Sequence, residues 1–486
     1  MILELIGNTY KYECEKIIRI FFPAERVLTG EAADEPDRHI ICEVKTGKTE
    51  NTYSCKAFVD GKKSEFSFSY PVTEDDGDSL RERLLAKAML PVLSEITGIV
   101  PPWGILTGIR PAKLMRKYIS EKGTENAVKM FTDFFEAGEE KTFLAKNVAL
   151  FENKVIEEAD VRSFSLYVSI PFCPTRCSYC SFVSHSVAGA KKLIPDYVKC
   201  LCEEIKETAR LAGENSLKLE TVYIGGGTPT SLETSQLKEI TDALNLYFDM
   251  KNVKEFTVEA GRPDTITPEK LLVLKNAGVT RISINPQTFS DSVLEAIGRR
   301  HTAEDTLEKF SLARDMGFDN INMDFIAGLP TDNFEGFCKS IDKAVELSPE
   351  NITVHTLSVK RSSDMNQTGK EYCTAEETER MVDYANKILS ENGYLPYYMY
   401  RQSKSVANLE NVGWCKKNYP CLYNIYMMEE IHTVLAVGAS AVTKLTLPGS
   451  DELQRIFNYK YPYEYISDFG EMINRKKAVT DFYKNV

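Results

Sequence analysis

YVSIPFCPTRCSYCSF, residues 167–182, joins a short apolar run to a loop that carries three closely spaced cysteines. Cys173, Cys177 and Cys180 follow the spacing CxxxCxxC. A structural zinc site takes four nitrogen or sulfur ligands; no fourth cysteine or histidine stands at a matching spacing, although His185 is near. A redox dithiol would use only Cys177 and Cys180 and would leave Cys173 unexplained. The spacing favours an iron–sulfur cluster on three thiolates, with one iron open to a non-protein ligand.

The run before this loop is the first of six short β-like segments that alternate with helical patterns. The six segments are FSLYVSIPF (164–172), TVYIGGG (221–227), EFTVEAG (255–261), RISINPQ (281–287), NINMDFIAG (320–328) and NITVHTLSV (351–359). Such repeats predict parallel strands joined by crossover helices, and therefore an α/β fold: a partial (β/α)6 barrel of the TIM type, with fewer than eight strands.

Chemically unusual residues stand where these predicted strands end. The cysteine loop follows the first strand, and we expect the other ends to carry Gly225–Gly227, Glu259, Gln287 and, within the fifth strand, Asp324. In parallel α/β barrels the carboxyl ends of the strands carry the active site. The sequence therefore predicts one functional rim.

The remaining sequence predicts three further parts. Residues 1–100 read as a small N-terminal α+β domain of unknown role, and residues 101–160 as a helical connector. The barrel is expected over 161–390, and an aromatic-rich C-terminal extension, packed against the barrel, over 391–486.

Composition limits the classes of partner. The chain has 486 residues, 43% hydrophobic and 27% charged, which is typical of a soluble globular protein. No apolar run approaches the roughly 18 residues of a membrane span, and the N-terminus lacks a signal-peptide pattern. A net charge of −12 argues against binding to nucleic acid or to an anionic membrane. The expected location is the cytoplasm.

The order of motifs resembles a known family. CxxxCxxC with Tyr179 before its last cysteine resembles the radical SAM superfamily. GGGTPT (225–230), VEAGRPDTIT (258–267), SINPQTF (283–289), IGRRH (297–301) and MDFIAGLP (323–330) follow in order and resemble the oxygen-independent coproporphyrinogen III oxidase family. The long N-terminal extension and NLENVGWC (408–415) are most similar to its HemZ-type coproporphyrinogen dehydrogenases.

The resemblance implies cofactors and ligands. A [4Fe-4S] cluster would be held by Cys173, Cys177 and Cys180, and its open iron would bind S-adenosylmethionine (SAM), whose cleavage gives methionine and a 5'-deoxyadenosyl radical. Some relatives hold a second SAM. The implied SAM contacts are Tyr167 at the methionyl end, Gly226, Gly227 and Thr228 at the amino group, Glu259 at the cationic centre, Arg299 at the carboxylate, Gln287 and Asp324 at the ribose, and Ile326 at the adenosine. His355 stands where the family has an aromatic residue beside adenine, and a structural role for it is an equal alternative.

The implied reaction is the oxidative decarboxylation of two propionates of coproporphyrinogen III to vinyl groups, which gives protoporphyrinogen IX in heme biosynthesis. The substrate would be a porphyrinogen-type small molecule, and the electron donor a flavodoxin or ferredoxin of low potential. Propionates call for fixed cations, and the candidates are Arg361 and Arg401, with Lys360 and Lys404 beside them. No catalytic residue is predicted beyond the cluster and SAM.

Two departures from the family pattern lie near the expected substrate: Ser169 replaces a common histidine, and Asn285–Pro286 precede Gln287. Two other functions therefore stay open. One is a heme-binding trafficking protein, although relatives of that kind start directly at the barrel, whereas here about 160 residues precede it. The other is a radical SAM C-methyltransferase or another tetrapyrrole-modifying enzyme.

Overall fold

The structure is a computed structural model in which the chain forms two compact units. It describes residues 1–30, 37–72, 77–360, 363, 365, 372–402, 405–450, 452–484 and 486. The first unit comprises residues 1–149 and 401–409, and the second comprises residues 150–400 and 410–486. Residues 101–149 thus belong with the N-terminal sheet, and the four-part division of the chain stays a prediction.

The first unit is built on a five-stranded sheet in the order β2–β1–β3–β4–β5. The strands are β1 (Ile2–Ile6), β2 (Leu28–Thr29), β3 (Arg38–Lys45), β4 (Glu50–Val59) and β5 (Lys62–Pro71). β1 pairs in parallel with β2 and β3, whereas β3, β4 and β5 form an antiparallel meander. Alternate residues of β4 are buried, the two-residue period of a sheet with one covered face.

Helices complete this unit, which therefore combines a sheet with helices. They are α1 (Lys11–Phe21), α2 (Asp78–Thr97), α3 (Pro111–Lys122), α4 (Thr124–Lys129), a π-helical turn (Met130–Phe134) and α5 (Glu139–Ile156), the end of which belongs to the second unit. α2 packs against β4 and β5, and α1 packs against α2. α2 ends at Gly98, whose φ of 75° is a left-handed conformation that glycine adopts without steric cost.

The second unit holds an 11-stranded sheet among the described residues. Its strands are β6 (Ser163–Ile170), β9 (Lys218–Gly226), β10 (Glu255–Glu259), β11 (Arg281–Ser283), β12 (Ile321–Ala327), β13 (Asn351–Thr356), β14 (Leu395–Arg401), β15 (Glu410–Cys415), β16 (Thr433–Val437), β17 (Val442–Leu445) and β18 (Gln454–Phe457). A separate two-stranded ribbon is formed by β7 (Phe172–Cys173) and β8 (His185–Ser186).

The predicted run of six parallel strands is confirmed. β6, β9, β10, β11, β12 and β13 lie side by side in chain order, each parallel to the next. β16 joins the far side of β6 in parallel, and antiparallel strands extend both edges of the sheet. The fold is therefore the α/β fold that was expected, with an open strand order rather than a closed barrel over the described residues.

Helices lie between these strands and follow the last of them. They are α6 (Val187–Ala190), α7 (Ile194–Glu214), α8 (Thr234–Tyr247), α9 (Pro268–Asn276), α10 (Asp291–Ala296), α11 (Ala303–Asp315), α12 (Phe334–Leu347), α13 (Ala375–Glu391), α14 (Leu422–Glu429), α15 (Pro462–Ser467), α16 (Phe469–Arg475) and α17 (Lys477–Tyr483). Local chemistry sets their starts: at α11 the Thr302 hydroxyl accepts from the Asp305 amide while the Asp305 carboxylate accepts from the Thr302 amide, a capping box.

The C-terminal extension is tied to α7 by a buried carboxylate. Glu204 has no solvent exposure, and it accepts hydrogen bonds from the Gly438 amide at 2.7 Å and the Tyr465 hydroxyl at 2.5 Å. Lys476 pairs with it at 3.0 Å, and Asn458 donates to it at 2.8 Å. A buried charge needs such partners to offset its lost hydration. The extension therefore belongs to the same core as the barrel helices.

Gln287, which was predicted to end the fourth parallel strand, lies beyond that strand. β11 stops at Ser283, so Gln287 stands four residues beyond the strand rather than at its end. Pro286 has no N–H to donate to a ladder. Gln287 rejoins β12 through one isolated bridge to Phe325, with φ at 69°.

Within the described parts of the chain, no helix has both the length and the apolar character that crossing a lipid bilayer requires.

Candidate functional site

The cysteine loop leaves the end of β6 and is closed at its base. β7 and β8 pair in parallel across it, and the His185 amide donates to the Pro171 carbonyl at 2.9 Å. The Cys180 amide donates to the Cys177 carbonyl at 3.1 Å, which forms a tight turn between the last two cysteines. One short, closed loop therefore carries all three cysteines.

The turn around residues 297–299 holds the outer side of this loop. The Ser178 amide donates to the Ile297 carbonyl at 3.0 Å, and the Thr175 hydroxyl donates to the Gly298 carbonyl at 3.2 Å. The IGRR motif after α10 and the cysteine motif after β6 are thus one local structure.

The three cysteines are not in disulfides, and their exposure to water differs. Cys177 is buried, and Cys173 and Cys180 are partly exposed. Burial raises the pKa of Cys180 to about 11 and also raises the pKa of Cys173, while the Thr228 hydroxyl, 3.5 Å from Cys173 Sγ, lowers the latter pKa. Metal binding at this loop must therefore displace protons from the sulfur atoms.

Over the described residues, no three His, Cys, Asp or Glu side chains are gathered closely enough to hold a single metal ion. The closely spaced donors of the loop are three thiols, and thiolates are the ligands that iron–sulfur clusters use. The chemistry of these residues therefore fits such a cluster, which Cys173, Cys177 and Cys180 would hold.

A glycine cradle lies directly beside this loop. Gly226 has φ at 108°, a conformation that side chains rarely adopt. The Gly227 amide donates to the Ile170 carbonyl at 2.7 Å, and the Thr228 amide donates to the Phe172 carbonyl at 2.7 Å. A Cβ on Gly227 would lie 2.6 Å from the Phe172 oxygen, so β9 can approach the start of the loop only without a side chain there.

Glu259 stands at the end of β10 and faces this cradle. The Tyr223 hydroxyl donates to its Oε1 at 2.6 Å, and a Cβ on Gly225 would lie 3.0 Å from its Cδ. Loss of hydration raises the pKa of Glu259 to about 7, and the negative charge of Asp324 adds to the rise, while the Tyr223 hydrogen bond and Arg281 oppose it. A cationic ligand would relieve this unfavourable burial.

Arg299 is a buried cation of the rim whose guanidinium contacts Tyr179 of the cysteine loop. It is 8% exposed, and its Nη atoms donate to the Asn285 carbonyl at 2.6 Å and to the Tyr179 hydroxyl at 3.3 Å. Its Nε has no partner among the described residues, and neither has the buried Oδ1 of Asn285. Orphaned buried polar atoms of this kind indicate a missing polar ligand.

The next part of the rim comes from β12 and the segment after β11. The Gln287 amide donates to the Asp324 carbonyl at 2.9 Å, and the Ile326 amide donates to the Gln287 carbonyl at 3.1 Å. Asp324 accepts from Asn322 at 2.8 Å, and the His355 ring lies 4.0 Å from it. Gln287, Asp324 and Ile326 are therefore brought together, with His355 beside them.

Tyr167 contributes to a stack of three tyrosines. Its ring centroid lies 6.3 Å from that of Tyr223 and 6.1 Å from that of Tyr423, and the Tyr223 and Tyr423 centroids are 4.4 Å apart. Burial raises the pKa of all three hydroxyls. Tyr423 belongs to α14, so the C-terminal extension contributes to the wall of the site.

One of the predicted substrate cations, Arg401, is engaged within the first unit. Arg401 is 3% exposed and donates to the carbonyls of Leu106 at 2.6 Å and Asn408 at 3.0 Å within the first unit. Its guanidinium lies 5.5 Å from the Trp103 ring. Arg401 thus contributes to the packing of that unit, and its contact with substrate stays a prediction.

The other three candidate cations are Arg361, Lys404 and Lys360. Arg361 and Lys404 lie outside the described residues. Lys360 lies near the cysteine loop: burial lowers its pKa, and the charge of Cys180 opposes that change. Of the four candidate cations, Lys360 is therefore the one that the structure describes beside the cysteine loop.

Sequence reasoning overlooked Tyr223, Tyr423 and Arg262. Tyr223 lies two residues before Gly225 in β9, so the two residues face the same side of the sheet. This alternation could have indicated Tyr223 from the sequence. Arg262 lies inside the quoted motif VEAGRPDTIT, from which only Glu259 was selected. Tyr423 is 200 residues from Tyr223 and no local pattern indicates it.

Comparisons with known proteins agree with this geometry. Residues 167–344 match the family model of the radical SAM superfamily. The oxygen-independent coproporphyrinogen-III oxidase-like protein HemZ of Bacillus subtilis (strain 168) is 36% identical over 484 residues, which cover 98% of this chain and 94% of that protein. The heme chaperone HemW of the same organism is 38% identical over 219 residues, which cover 44% of this chain and 56% of HemW.

A solved structure supports the fold. The coproporphyrinogen III oxidase HemN from Escherichia coli, a radical SAM enzyme, superposes with a TM-score of 0.53 over 67% of this chain and 73% of that one. At 22% identity this likeness shows the shared architecture alone.

Proposed function

Because the chain belongs to the radical SAM superfamily and, within it, to the family of oxygen-independent coproporphyrinogen-III oxidase-like proteins, we propose that it oxidises coproporphyrinogen III. The proposed reaction removes two propionate carboxyl groups as CO₂ and leaves vinyl groups, giving protoporphyrinogen IX. The family membership confirms the resemblance drawn from the motifs.

The cofactors follow from the family: the chain binds a [4Fe-4S] cluster and SAM. Together, when bound, they supply a radical that abstracts hydrogen from substrate carbon. We assign the cluster ligands to Cys173, Cys177 and Cys180. A flavodoxin or ferredoxin of low potential is the proposed electron donor.

The chain's own residues would bind and orient SAM. Gly226, Gly227 and Thr228 would receive the amino end, and the buried guanidinium of Arg299 is suited to its carboxylate. Glu259 would hold the cationic centre, and the Gln287–Asp324 pair would bind the ribose hydroxyls. Ile326 would pack on the adenosine, and Tyr167 would cover the methionyl end.

The extent of the likeness is the observation that carries the oxidase assignment. The oxidase-like relative matches 98% of this chain, including the first unit and the C-terminal extension that supplies Tyr423 to the site. The heme chaperone of Bacillus subtilis matches 44% and that of Haemophilus influenzae 65%. The parts outside the barrel therefore favour the oxidase-like branch.

A second function, transfer of heme as a chaperone, rests on a specific observation. Where the Bacillus subtilis heme chaperone aligns, it is 38% identical, slightly above the 36% of the oxidase-like relative. One cation expected to bind propionate, Arg401, is also engaged with the Leu106 carbonyl within the first unit.

One anaerobic assay separates these functions. Reconstituted protein is incubated with dithionite, SAM and coproporphyrinogen III, and products are identified by mass spectrometry. Formation of 5'-deoxyadenosine together with vinyl-bearing product supports the oxidase. SAM cleavage without decarboxylated product contradicts it and favours C-methylation or another tetrapyrrole modification. Stoichiometric heme binding without turnover contradicts it in favour of the chaperone.

The raised pKa of Glu259 predicts a pH dependence of SAM affinity. The carboxyl is mostly neutral below its pKa of about 7 and becomes a carboxylate above it, so its attraction for the cationic centre increases as pH rises. We expect the Kd for SAM to fall about tenfold between about pH 6 and about pH 8, one pKa unit on either side of the midpoint. Equilibrium binding under anaerobic conditions measures it.

Two variants separate the effect of Glu259 titration on SAM affinity from the effect of titration of SAM itself. Glu259→Gln should bind SAM more weakly than the wild type above about pH 7, should approach the wild-type affinity at lower pH, where the carboxyl is neutral, and should lose this part of the pH dependence. Tyr223→Phe removes the 2.6 Å hydrogen bond that lowers the Glu259 pKa, so its midpoint should move to higher pH. Identical pH profiles for the wild type and Glu259→Gln would refute the assigned role of Glu259.

A further inference from the structure

Arg262 is a buried arginine whose guanidinium contacts the cysteine loop. It follows β10 by three residues and is 3% exposed. Its Nη1 lies 3.8 Å from Cys177 Sγ and 3.2 Å from the Thr175 hydroxyl, with the donor hydrogen directed at each. None of the SAM-contact or cluster-ligand assignments uses this side chain.

The opposite edge of the guanidinium is fixed. Asp264 accepts from Nε at 3.0 Å and from Nη2 at 3.1 Å, the two-point geometry that only arginine supplies. Asp264 is itself held in a short 3₁₀ turn, Pro263–Thr265. Because one edge is clamped in this way, the outer N–H groups have a set direction toward Thr175 and Cys177.

The charge distribution of this pair has a consequence for a cluster on Cys177. The carboxylate lies on the far side of the guanidinium, so the positive end of the Arg262–Asp264 pair faces the sulfur atom. One-electron reduction adds a negative charge to a cluster, and hydrogen bonds or positive charge at its sulfur ligands favour the reduced form. Low exposure strengthens the effect because little water screens it.

We propose that Arg262 is a positioning residue that orients Cys177 and raises the reduction potential of the cluster. The inference rests on the proposed cysteine ligands and goes beyond them, since it assigns to this arginine the control of how readily an external low-potential donor reduces the site. The same guanidinium also anchors Thr175, and so holds the first half of the loop in place.

The test is an anaerobic redox titration of the reconstituted full chain, followed by EPR of the reduced cluster, without substrate. Arg262→Gln is compared with the wild type and with Arg300→Gln, an exposed arginine of the same rim. We expect Arg262→Gln to lower the ratio of reduced to oxidised cluster at least tenfold at a fixed potential, a shift of about 59 mV for one electron. Arg300→Gln should leave the ratio within about twofold.

A full iron content with an unchanged potential in Arg262→Gln would overturn the proposal. If Arg262→Gln holds too little iron for the titration, Arg262→Lys is used instead. Lysine keeps the positive charge but lacks the two-point hydrogen bonding of the guanidinium, so we expect a cluster reduction potential below that of the wild type. A lysine variant equal to the wild type would also overturn it. If the wild type itself holds no cluster, the cysteine assignment fails first, and the two failures are thereby distinguished.

Discussion

Replacement of any one of Cys173, Cys177 and Cys180 by serine should abolish binding of iron and acid-labile sulfide after anaerobic reconstitution. A hydroxyl is a poor ligand for iron where thiolate is required, and three ligands leave none in reserve. Iron and sulfide analysis and the visible absorbance spectrum measure the loss. SAM cleavage should fall below detection in all three variants.

Cys200→Ser is the matched control. Cys200 is partly exposed, as are Cys173 and Cys180, and it lies on α7 outside the loop. Its replacement should leave iron content and SAM cleavage unchanged. Full cluster content in any of the three loop variants would show that the corresponding cysteine is not a ligand.

Gly227→Ala should abolish SAM binding and should weaken the fold. The added methyl group would lie 2.6 Å and 2.8 Å from the Phe172 oxygen and nitrogen and 2.9 Å from the Ile170 oxygen. These are backbone atoms that lead into the cysteine loop, so the loop must move away from β9. Overpacking of this kind costs about 1–3 kcal/mol in the free energy of unfolding. Denaturant unfolding and anaerobic SAM binding measure the two effects.

Gly213→Ala provides the control for the same chemical change. Gly213 lies near the end of α7, and a Cβ there would meet no atom within 4 Å. Alanine is favoured over glycine in helices by about 1 kcal/mol, so stability should stay the same or rise, and SAM affinity should not change. Wild-type SAM affinity and stability in Gly227→Ala would contradict the proposed cradle.

The α/β fold of the second unit could be predicted from the sequence because the local hydrophobic pattern agrees with the tertiary packing. Each of the six strands is a short apolar run bounded by turn residues, and parallel connection through helices follows from that alternation. Chemically unusual residues at strand ends then had to share one edge. Gln287 is the exception, since Pro286 ends the pairing of β11 early and an isolated bridge restores it.

The side-chain network of the site was less accessible, for a physical reason. The contact between Tyr223 and Tyr423 joins residues that are distant in sequence and depends on where α14 packs. Similarly, Arg401 could be selected from sequence only as a cation. Its engagement with the carbonyls of Leu106 and Asn408 depends on how the first unit folds around it.

The most direct test of the account is an analysis of the purified wild-type chain, kept free of oxygen, for metal content and SAM cleavage in one preparation. We predict about four irons and about four sulfides per chain, and 5'-deoxyadenosine on addition of dithionite and SAM. A preparation that holds one zinc per chain, without iron or sulfide, would contradict the account at its base.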